Sequence, residues 1–205
     1  MLRKNPFIEP CQPAIRKESP SGPQWLHEVK FDGYRIQIHK AGKDVVLFSK
    51  NGKDFTTRFP DITHAIAALP TTSFILDAEL TACSHDGSPD FSALLSKKGR
   101  DLCVWVFGIL AQHGRDLRAL SLAARRARLD RLMQRIQNPY VRYSETFADP
   151  HRLLSACAER KMEGIVSKRR DRLYVSGPTK DWIKVKCALW REQNAWRHDF
   201  FDRRR

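Results

Sequence analysis

A lysine at position 30 stands where a strand-like pattern meets a tight turn, in the stretch HEVKFDGYRIQIHK (residues 27–40). Its amine could act as a nucleophile, but an exposed lysine is almost fully protonated at neutral pH. Neighbouring cations, a bound metal or burial would disfavour the charged form and free the amine. The chemistry of this lysine therefore depends on which groups the rest of the chain brings to it.

Charged residues at the ends of apolar, strand-like stretches are the candidate companions of Lys30. Lys184 and Lys186 alternate in WIKVK, so both side chains would point to one face of a strand. Charges at the edge of a core cost free energy unless they are paired or bound to a ligand. Each of them taken alone is also consistent with an ordinary solvated side chain. The candidates are Arg35, Glu79, Glu163, Lys184 and Lys186.

The composition predicts a soluble globular protein with a nucleic-acid or nucleotide partner. The chain has 205 residues, of which 41% are hydrophobic and 29% charged, and no apolar stretch approaches the length of a membrane span. We therefore expect no membrane partner. The net charge of +14 attracts polyanions, although a basic charge that serves only solubility is the alternative.

The five cysteines are scattered, without a CxxC or a Cys/His pairing. This spacing argues against a structural zinc and against a disulfide framework. The chain start carries positive charge but no following apolar run, so we expect no secretory signal. Both observations predict a cytoplasmic protein with single buried thiols.

The patterning predicts an α+β fold of antiparallel sheets with a few helices between them. Residues 1–24 are rich in Pro, Ser and Lys and are predicted to be an irregular arm. In the helix predicted for 121–136, leucines share one face, and we expect the arginines to form a solvated face or to contact phosphate. Asp149 and Pro150 are predicted to begin another helix, as its cap and its first turn. Predicted strands cover 25–30, 34–40, 44–49, 73–80, 101–110, 163–170 and 181–187, and predicted helices cover 58–69, 121–136 and 149–161.

Six short motifs follow one another along the chain in the order found in the nucleotidyltransferase superfamily of ATP-dependent DNA ligases, RNA ligases and capping enzymes, which the chain therefore resembles. The amino-acid sequences of the motifs, together with GRDLR at 114–118, are most similar to those of the ligase module of bacterial end-joining DNA ligases. The resemblance runs from about Phe7 to Cys187. It implies an ATP-grasp-like, nucleotidyltransferase adenylation domain of antiparallel sheets flanked by helices. The motifs are KFDGYR, SKNG, LDAEL, VFGIL, EGIVSK and WIKVK.

The resemblance implies that Lys30 attacks the α-phosphate of ATP, releases pyrophosphate and holds AMP as a phosphoramidate. AMP would then pass to a DNA 5′-phosphate, and a 3′-hydroxyl would seal the nick. The implied cofactors are ATP and Mg²⁺, with Mn²⁺ as the alternative metal. The implied partner is nicked or broken double-stranded DNA. Other end-joining proteins are further candidates, as suppliers of an OB, polymerase or end-binding function.

The resemblance also implies roles for the motif residues around the nucleotide. Glu28 would lie beside the adenine, and Phe107 would stack on the purine. Arg35 would contact the ribose or phosphate side of the nucleotide. Lys50 belongs to the nucleotide-binding set as well.

The remaining motif residues would act at the phosphates. Glu79 would bind the ribose hydroxyls or help to hold the metal, and Glu163 is the second carboxylate expected near Mg²⁺. Lys184 and Lys186 would hold the α-phosphate and stabilise the charge of the transition state.

The chain departs from the family pattern at three places. Lys50 replaces the usual arginine and lacks its bidentate fork, so a phosphate contact should weaken. Gly108 follows Phe107 where an aspartate is usual. We expect a basic, Trp-containing tail over 188–205 and no OB-fold domain after the adenylation domain at 25–187.

Two alternative functions stay open at this stage. One is a catalytically impaired remnant that binds nucleic acid or a partner, which the changes at Lys50 and Gly108 favour and the intact lysines and glutamates oppose. The other is an RNA ligase or a capping-type nucleotidyltransferase that uses the same lysine chemistry.

Overall fold

Alternation of apolar and polar residues along the chain builds two β-sheets, and helices cover their outer faces. The computed structural model describes residues 6–83, 94 and 101–194. The strands are β1 (Cys11–Ile15), β2 (Trp25–Lys30), β3 (Tyr34–Ala41), β4 (Asp44–Ser49), β5 (Ser73–Cys83), β6 (Asp101–Gln112), β7 (Arg115–Asp116), β8 (Val141–Tyr143), β9 (Gly164–Arg169) and β10 (Gly177–Lys186). The helices are α1 (Pro60–Ala67), α2 (Leu122–Met133), α3 (Pro150–Glu159) and α4 (Ala188–Gln193), with a 3₁₀ turn at Thr56–Arg58.

The larger sheet has the strand order β4-β3-β5-β6-β7, with β8 parallel to β6. Its helix-covered face carries the main core, in which Ile36 and Ile38 of β3 are fully buried together with Ile62 of α1 and Leu129 of α2. Helices α1 and α2 pack on this sheet because their apolar residues recur at helical spacing.

The smaller sheet has the order β1-β10-β9-β2, and it places three sequence motifs side by side. Strand β9 pairs antiparallel with both β2 and β10, so Gly164 lies opposite Lys30 on one side and Lys186 on the other. Helix α3 covers the outer face through Leu153 and Cys157. The register therefore brings the ends of β2 and β10 together across one glycine.

The prediction of an irregular arm at 1–24 is wrong for part of that segment. Cys11–Ile15 form β1, which pairs parallel with β10. Pro10, Pro13 and the short length of β1 made this strand hard to recognise in the sequence. Its pairing was not expected either, since β10 already has β9 as an antiparallel partner. Residues 1–5 lie outside the described residues.

The predicted helices and strands are otherwise confirmed, with differences of a few residues at their ends. Asp149 caps α3 by accepting hydrogen bonds from the amides of His151 and Arg152, and Pro150 stands in the first turn. The prediction of a solvated arginine face on α2 is wrong for Arg125 and Arg126, which are buried. Their side chains donate to backbone carbonyls and lie against tyrosine rings, so packing overrides the charge pattern.

Four cysteines are buried free thiols, as predicted: Cys11, Cys103, Cys157 and Cys187. Within the described residues, no helix combines the length and the apolar content that crossing a membrane requires.

We predict that Gly164→Ala destabilises the protein by about 1–3 kcal/mol or more, since overpacking adds to backbone strain. Gly164 has φ +149°, and an added Cβ would lie 2.0 Å from the carbonyl oxygen of Val185. Urea unfolding would measure the loss of free energy. Gly42→Ala is the matched control, because Gly42 also has positive φ (+63°) but no atom within 4 Å, and it should cost about 1 kcal/mol. Equal losses in the two variants would contradict the packing argument.

Candidate active site

All nine residues predicted for the site line one cavity of about 970 Å³ between the two sheets. The cavity has the size of a small-molecule site, for which 300–1,000 Å³ is usual. The sequence order of the motifs does not reveal this convergence, because it needs the pairing of β2, β9 and β10. The residues are Glu28, Lys30, Arg35, Lys50, Glu79, Phe107, Glu163, Lys184 and Lys186.

Glu163 lies between two lysines and forms an ion pair with each. Lys30 Nζ is 2.5 Å from Oε2 of Glu163, and Lys186 Nζ is 2.9 Å from Oε1. Burial opposes the charge of Lys30, but the carboxylates of Glu163, Glu79 and Asp32 outweigh it, so the pKa of Lys30 lies above its ordinary value. Lys30 is therefore a protonated ammonium group that is ion-paired with Glu163.

Two further ionisable groups of the cavity have shifted pKa values. Burial raises the pKa of Glu79 to about 8, against the opposing effect of Lys30 and Arg35. Burial also lowers the pKa of Lys184, and the neighbouring cations of Lys30 and Lys186 act in the same direction. At neutral pH the site thus holds a mainly protonated carboxyl and a lysine whose charge is disfavoured, which suits it to an anionic ligand.

Glu28 is held in a buried charge network behind the cavity wall. Its Oε2 accepts a hydrogen bond from Lys168 Nζ at 2.7 Å, and its Oε1 lies 3.7 Å from Nη1 of Arg126. Both Glu28 and Lys168 are 2% exposed. Oε1 has no hydrogen-bond partner among the described atoms, so it is an acceptor that a bound ligand could use.

Arg35 is already bound within the protein. Its Nε and Nη2 donate to the carboxylate of Asp77 at 2.9 and 2.7 Å, and its Nη1 donates to the carbonyl of Cys11. Tyr174 also donates to Asp77. The bidentate pair links β3 and β5 of the larger sheet, and the bond to Cys11 of β1 joins that sheet to the smaller one. The described contacts of Arg35 are therefore structural, and its nucleotide contact stays a prediction.

Phe107 is half-buried at the cavity wall, with the ammonium of Lys168 4.5 Å from its ring centroid. Gly108 does not interrupt β6, which continues to Gln112. Gly108 pairs with Asp77, and an added Cβ would lie 3.1 Å from the Cβ of Asp77. The absence of a side chain at position 108 therefore leaves room for Asp77 and its pair with Arg35.

Lys168 and Trp182 are site residues that the sequence reasoning left unassigned, although both lie in quoted motifs. Lys168 ends EGIVSK and lies 4.3 Å from the ring of Trp182. Lys168 lies two residues after Val166, and Trp182 lies two residues before Lys184, and all four line the cavity. Because alternate residues of a strand share one face, this spacing could have identified both residues from the sequence.

The segment after β10 reaches the cavity through α4. Trp190 lines it, and its ring centroid lies 4.4 Å from Lys186 Nζ. The first residues of the segment predicted as a basic, Trp-containing tail therefore form a short helix that packs beside the cavity. The rest of the tail, 195–205, lies outside the described residues.

Comparison with known proteins decides the family. The family described as "ATP dependent DNA ligase domain" matches residues 8–186. This chain belongs to that family. The resemblance read from the six motifs is thereby confirmed.

Members of the ligase family with similar sequences include an end-joining protein. The chain is 35% identical over 196 residues to the multifunctional non-homologous end joining protein LigD of Pseudomonas aeruginosa, covering 92% of this chain and 23% of that protein. It is 33% identical over 175 residues to a probable DNA ligase of Streptomyces coelicolor, covering 78% and 34%. The chain thus spans only about a quarter to a third of these relatives.

Solved structures of ligase-family members share the fold. A mycobacterial DNA ligase D complexed with ATP and MES superposes with a TM-score of 0.78 at 27% identity, over 87% of this chain and 60% of that chain. The ligase domain of LigD from M. tuberculosis gives a TM-score of 0.76 at 26% identity, with the same coverage. The predicted α+β adenylation-domain fold of antiparallel sheets flanked by helices is confirmed.

We predict that Lys168→Met costs about 3–5 kcal/mol of stability, because it leaves the buried carboxylate of Glu28 without its nearest cation. The double variant Lys168→Met/Glu28→Gln should regain most of this loss. Arg169→Met, which removes the neighbouring surface pair with Asp171, should cost less than about 1 kcal/mol. Urea unfolding of the four proteins would measure these differences. A double variant as unstable as Lys168→Met would contradict the pairing argument.

We predict that the free energy of unfolding of Glu79→Gln rises relative to that of the unmodified protein as the pH increases from about 5 to 8. The unfolded chain loses the Glu79 proton near the ordinary pKa of 4.5, whereas the folded protein keeps it up to about 8. The unfolded state then binds fewer protons, so stability falls over this range, and the amide removes that loss. Urea unfolding across the range would test this, and a constant difference would contradict the burial of Glu79.

Proposed function

We propose that this chain is the adenylation domain of an ATP-dependent DNA ligase and that Lys30 is its nucleophile. The observation that carries the proposal is the cluster of Lys30, Glu163 and Lys186 at the edge of an ATP-sized cavity. Family membership at 8–186 supports the same activity. The alternative of an impaired binding remnant has no comparable support, because Glu163 contacts both Lys30 and Lys186.

In the proposed reaction, the neutral amine of Lys30 forms a bond to the α-phosphorus of ATP. The bond from that phosphorus to the bridging oxygen breaks, and pyrophosphate leaves with the electron pair. Nζ must lose a proton, and its hydrogen bond places Glu163 Oε2 within reach of it. Lys184 and Lys186 would stabilise the charge that develops on the phosphate oxygens.

The adenosine part of ATP would occupy the wall formed by β2, β6 and β10. Phe107 offers a half-buried ring for stacking, and Oε1 of Glu28, which accepts no hydrogen bond among the described atoms, offers an acceptor for a purine N–H. Lys50 would contact phosphate as a point charge, and Arg35 would act mainly by joining the two sheets.

Glu79 and Glu163 are the residues that would hold a divalent cation. Among the described residues, no group of three or more His, Cys, Asp or Glu side chains could hold a metal alone. Two carboxylates fit Mg²⁺ or Mn²⁺, since such ions take their other ligands from substrate phosphates and water. The ion would supply neutralisation of phosphate charge and polarisation of the α-phosphate.

The finer parts of the function follow from the family. We propose nicked or broken double-stranded DNA as the substrate, transfer of AMP to its 5′-phosphate, and a role in end joining in the cytoplasm, with other end-joining proteins as partners. The net charge of +14 supports a nucleic-acid substrate. The boundaries 1–24, 25–187 and 188–205 remain predictions, and we propose that β1 belongs with the adenylation domain.

We predict that incubation with ATP and Mg²⁺ adds one AMP to the chain, and that Lys30→Ala abolishes the adduct because the nucleophile is lost. Intact-protein mass spectrometry would measure the mass increase. Lys43→Ala, an exposed lysine of the β3–β4 turn, is the matched control and should form the adduct normally. GTP in place of ATP would test the capping-type alternative. No adduct on the unmodified chain would overturn the proposal.

A further inference from the structure

Two arginines line the cavity among the described residues, and only one of them is bound to a carboxylate. Arg35 uses its guanidinium for Asp77 and Cys11. Arg58, the last residue of the 3₁₀ turn, lines the same cavity and forms no salt bridge among the described residues. Arg58 therefore offers a planar cation for which the described protein supplies no counter-charge.

Three aromatic rings hold the guanidinium of Arg58 in place. Its Cζ lies 4.9 Å from the ring centroids of Tyr34 and Phe55 and 5.3 Å from that of Phe59. The rings also pack on one another, with centroids 5.7–6.3 Å apart. Such contacts fix the plane of a guanidinium while leaving its N–H edge available.

The N–H groups of Arg58 are largely unused. Nη2 donates to the hydroxyl of Tyr34 at 3.2 Å, and a guanidinium has five donors in all. The residue is exposed and lines the cavity. A planar, pre-positioned fork of this kind matches two oxygens of a phosphate group.

The surroundings of Arg58 carry positive charge. Lys50 and Lys53 precede it in the same connection after β4, line the same cavity, and form no salt bridge among the described residues. An ammonium group is a point charge and cannot make a bidentate pair with phosphate. Arg58 is therefore the described residue that could add a directional phosphate contact to this wall.

We propose that Arg58 binds a substrate phosphate through its fork, at a position other than the α-phosphate that Lys184 and Lys186 would hold. This inference rests on the proposed function and deepens it. The phosphate belongs either to the polyphosphate tail of the nucleotide or to the 5′ end of the DNA strand. Both present the same non-bridging oxygens, and a binding experiment separates them.

The test compares the affinities of ligands with and without the phosphate, for Arg58→Ala and Arg58→Lys. All proteins carry Lys30→Ala, so that no covalent chemistry intervenes and a failure of adenylation leaves the test intact. One arm compares ATP and inorganic tripolyphosphate with adenosine by calorimetry. The other compares nicked duplexes with a 5′-phosphate or a 5′-hydroxyl at the nick by fluorescence anisotropy at fixed salt.

We expect Arg58→Ala to weaken the phosphate-bearing ligands of one arm by about 10- to 100-fold, as for a lost charge-assisted bidentate contact. Affinity for the matching phosphate-free ligand should change by less than about twofold, which also shows that the cavity is intact. Arg58→Lys should recover only part of the loss, because it restores the charge without the fork. Arg128→Ala, an exposed arginine of α2 outside the cavity lining, is the charge-matched control.

Loss confined to ATP and tripolyphosphate assigns Arg58 to the nucleotide tail, and loss confined to the 5′-phosphate duplex assigns it to the DNA end. Four results would overturn the proposal: no loss in either arm, equal loss with phosphate-free ligands, full recovery by lysine, or no measurable binding of any phosphate-bearing ligand.

Discussion

One carboxylate between two ammonium groups is the interaction on which the site depends. Glu163 accepts a hydrogen bond from Lys30 through Oε2 and forms an ion pair with Lys186 through Oε1, and it is 4% exposed. A buried carboxylate without a partner would be costly, so the two lysines stabilise Glu163 as much as it positions them. The same contact keeps the amine of Lys30 protonated, and therefore unreactive, until the balance of charge in the cavity changes.

The backbone can form this arrangement only because position 164 is a glycine. Gly164 pairs with Lys30 and Lys186 at once, and the carbonyl of Val185 approaches it too closely for any side chain. The central strand β9 thus brings both lysines beside Glu163, the residue just before it. On the other side of the cavity, Arg35 is held by Asp77 of the neighbouring strand and donates to the carbonyl of Cys11, which joins the larger sheet to the smaller one. Chemistry and sheet packing therefore depend on the same few strand ends.

Much of the fold could be predicted from local patterns. The alternation of apolar and polar residues in WLHEVK and YRIQIHK indicates strands, and Asp149 followed by Pro150 indicates the start of a helix. The site residues could be grouped only through a family resemblance, because their convergence depends on long-range pairing. Local patterns failed where tertiary contacts dominate. β1 is stabilised by pairing with β10 rather than by its own composition. Arg125 and Arg126 are buried against the rings of Tyr174 and Tyr143, which lie well outside their own helix. Lys168 faces inward because Glu28 is there.

The most direct test is the pKa of Lys30 itself, measured by NMR of isotope-labelled lysine side chains in the ligand-free protein and in Glu163→Gln. The account predicts a pKa above the ordinary lysine value in the unmodified protein. It predicts a clear fall in Glu163→Gln, where burial and the charges of Lys184 and Lys186 act on Lys30 without that carboxylate. A pKa already below the ordinary value in the unmodified protein, or one unchanged by the substitution, would contradict the central role of Glu163.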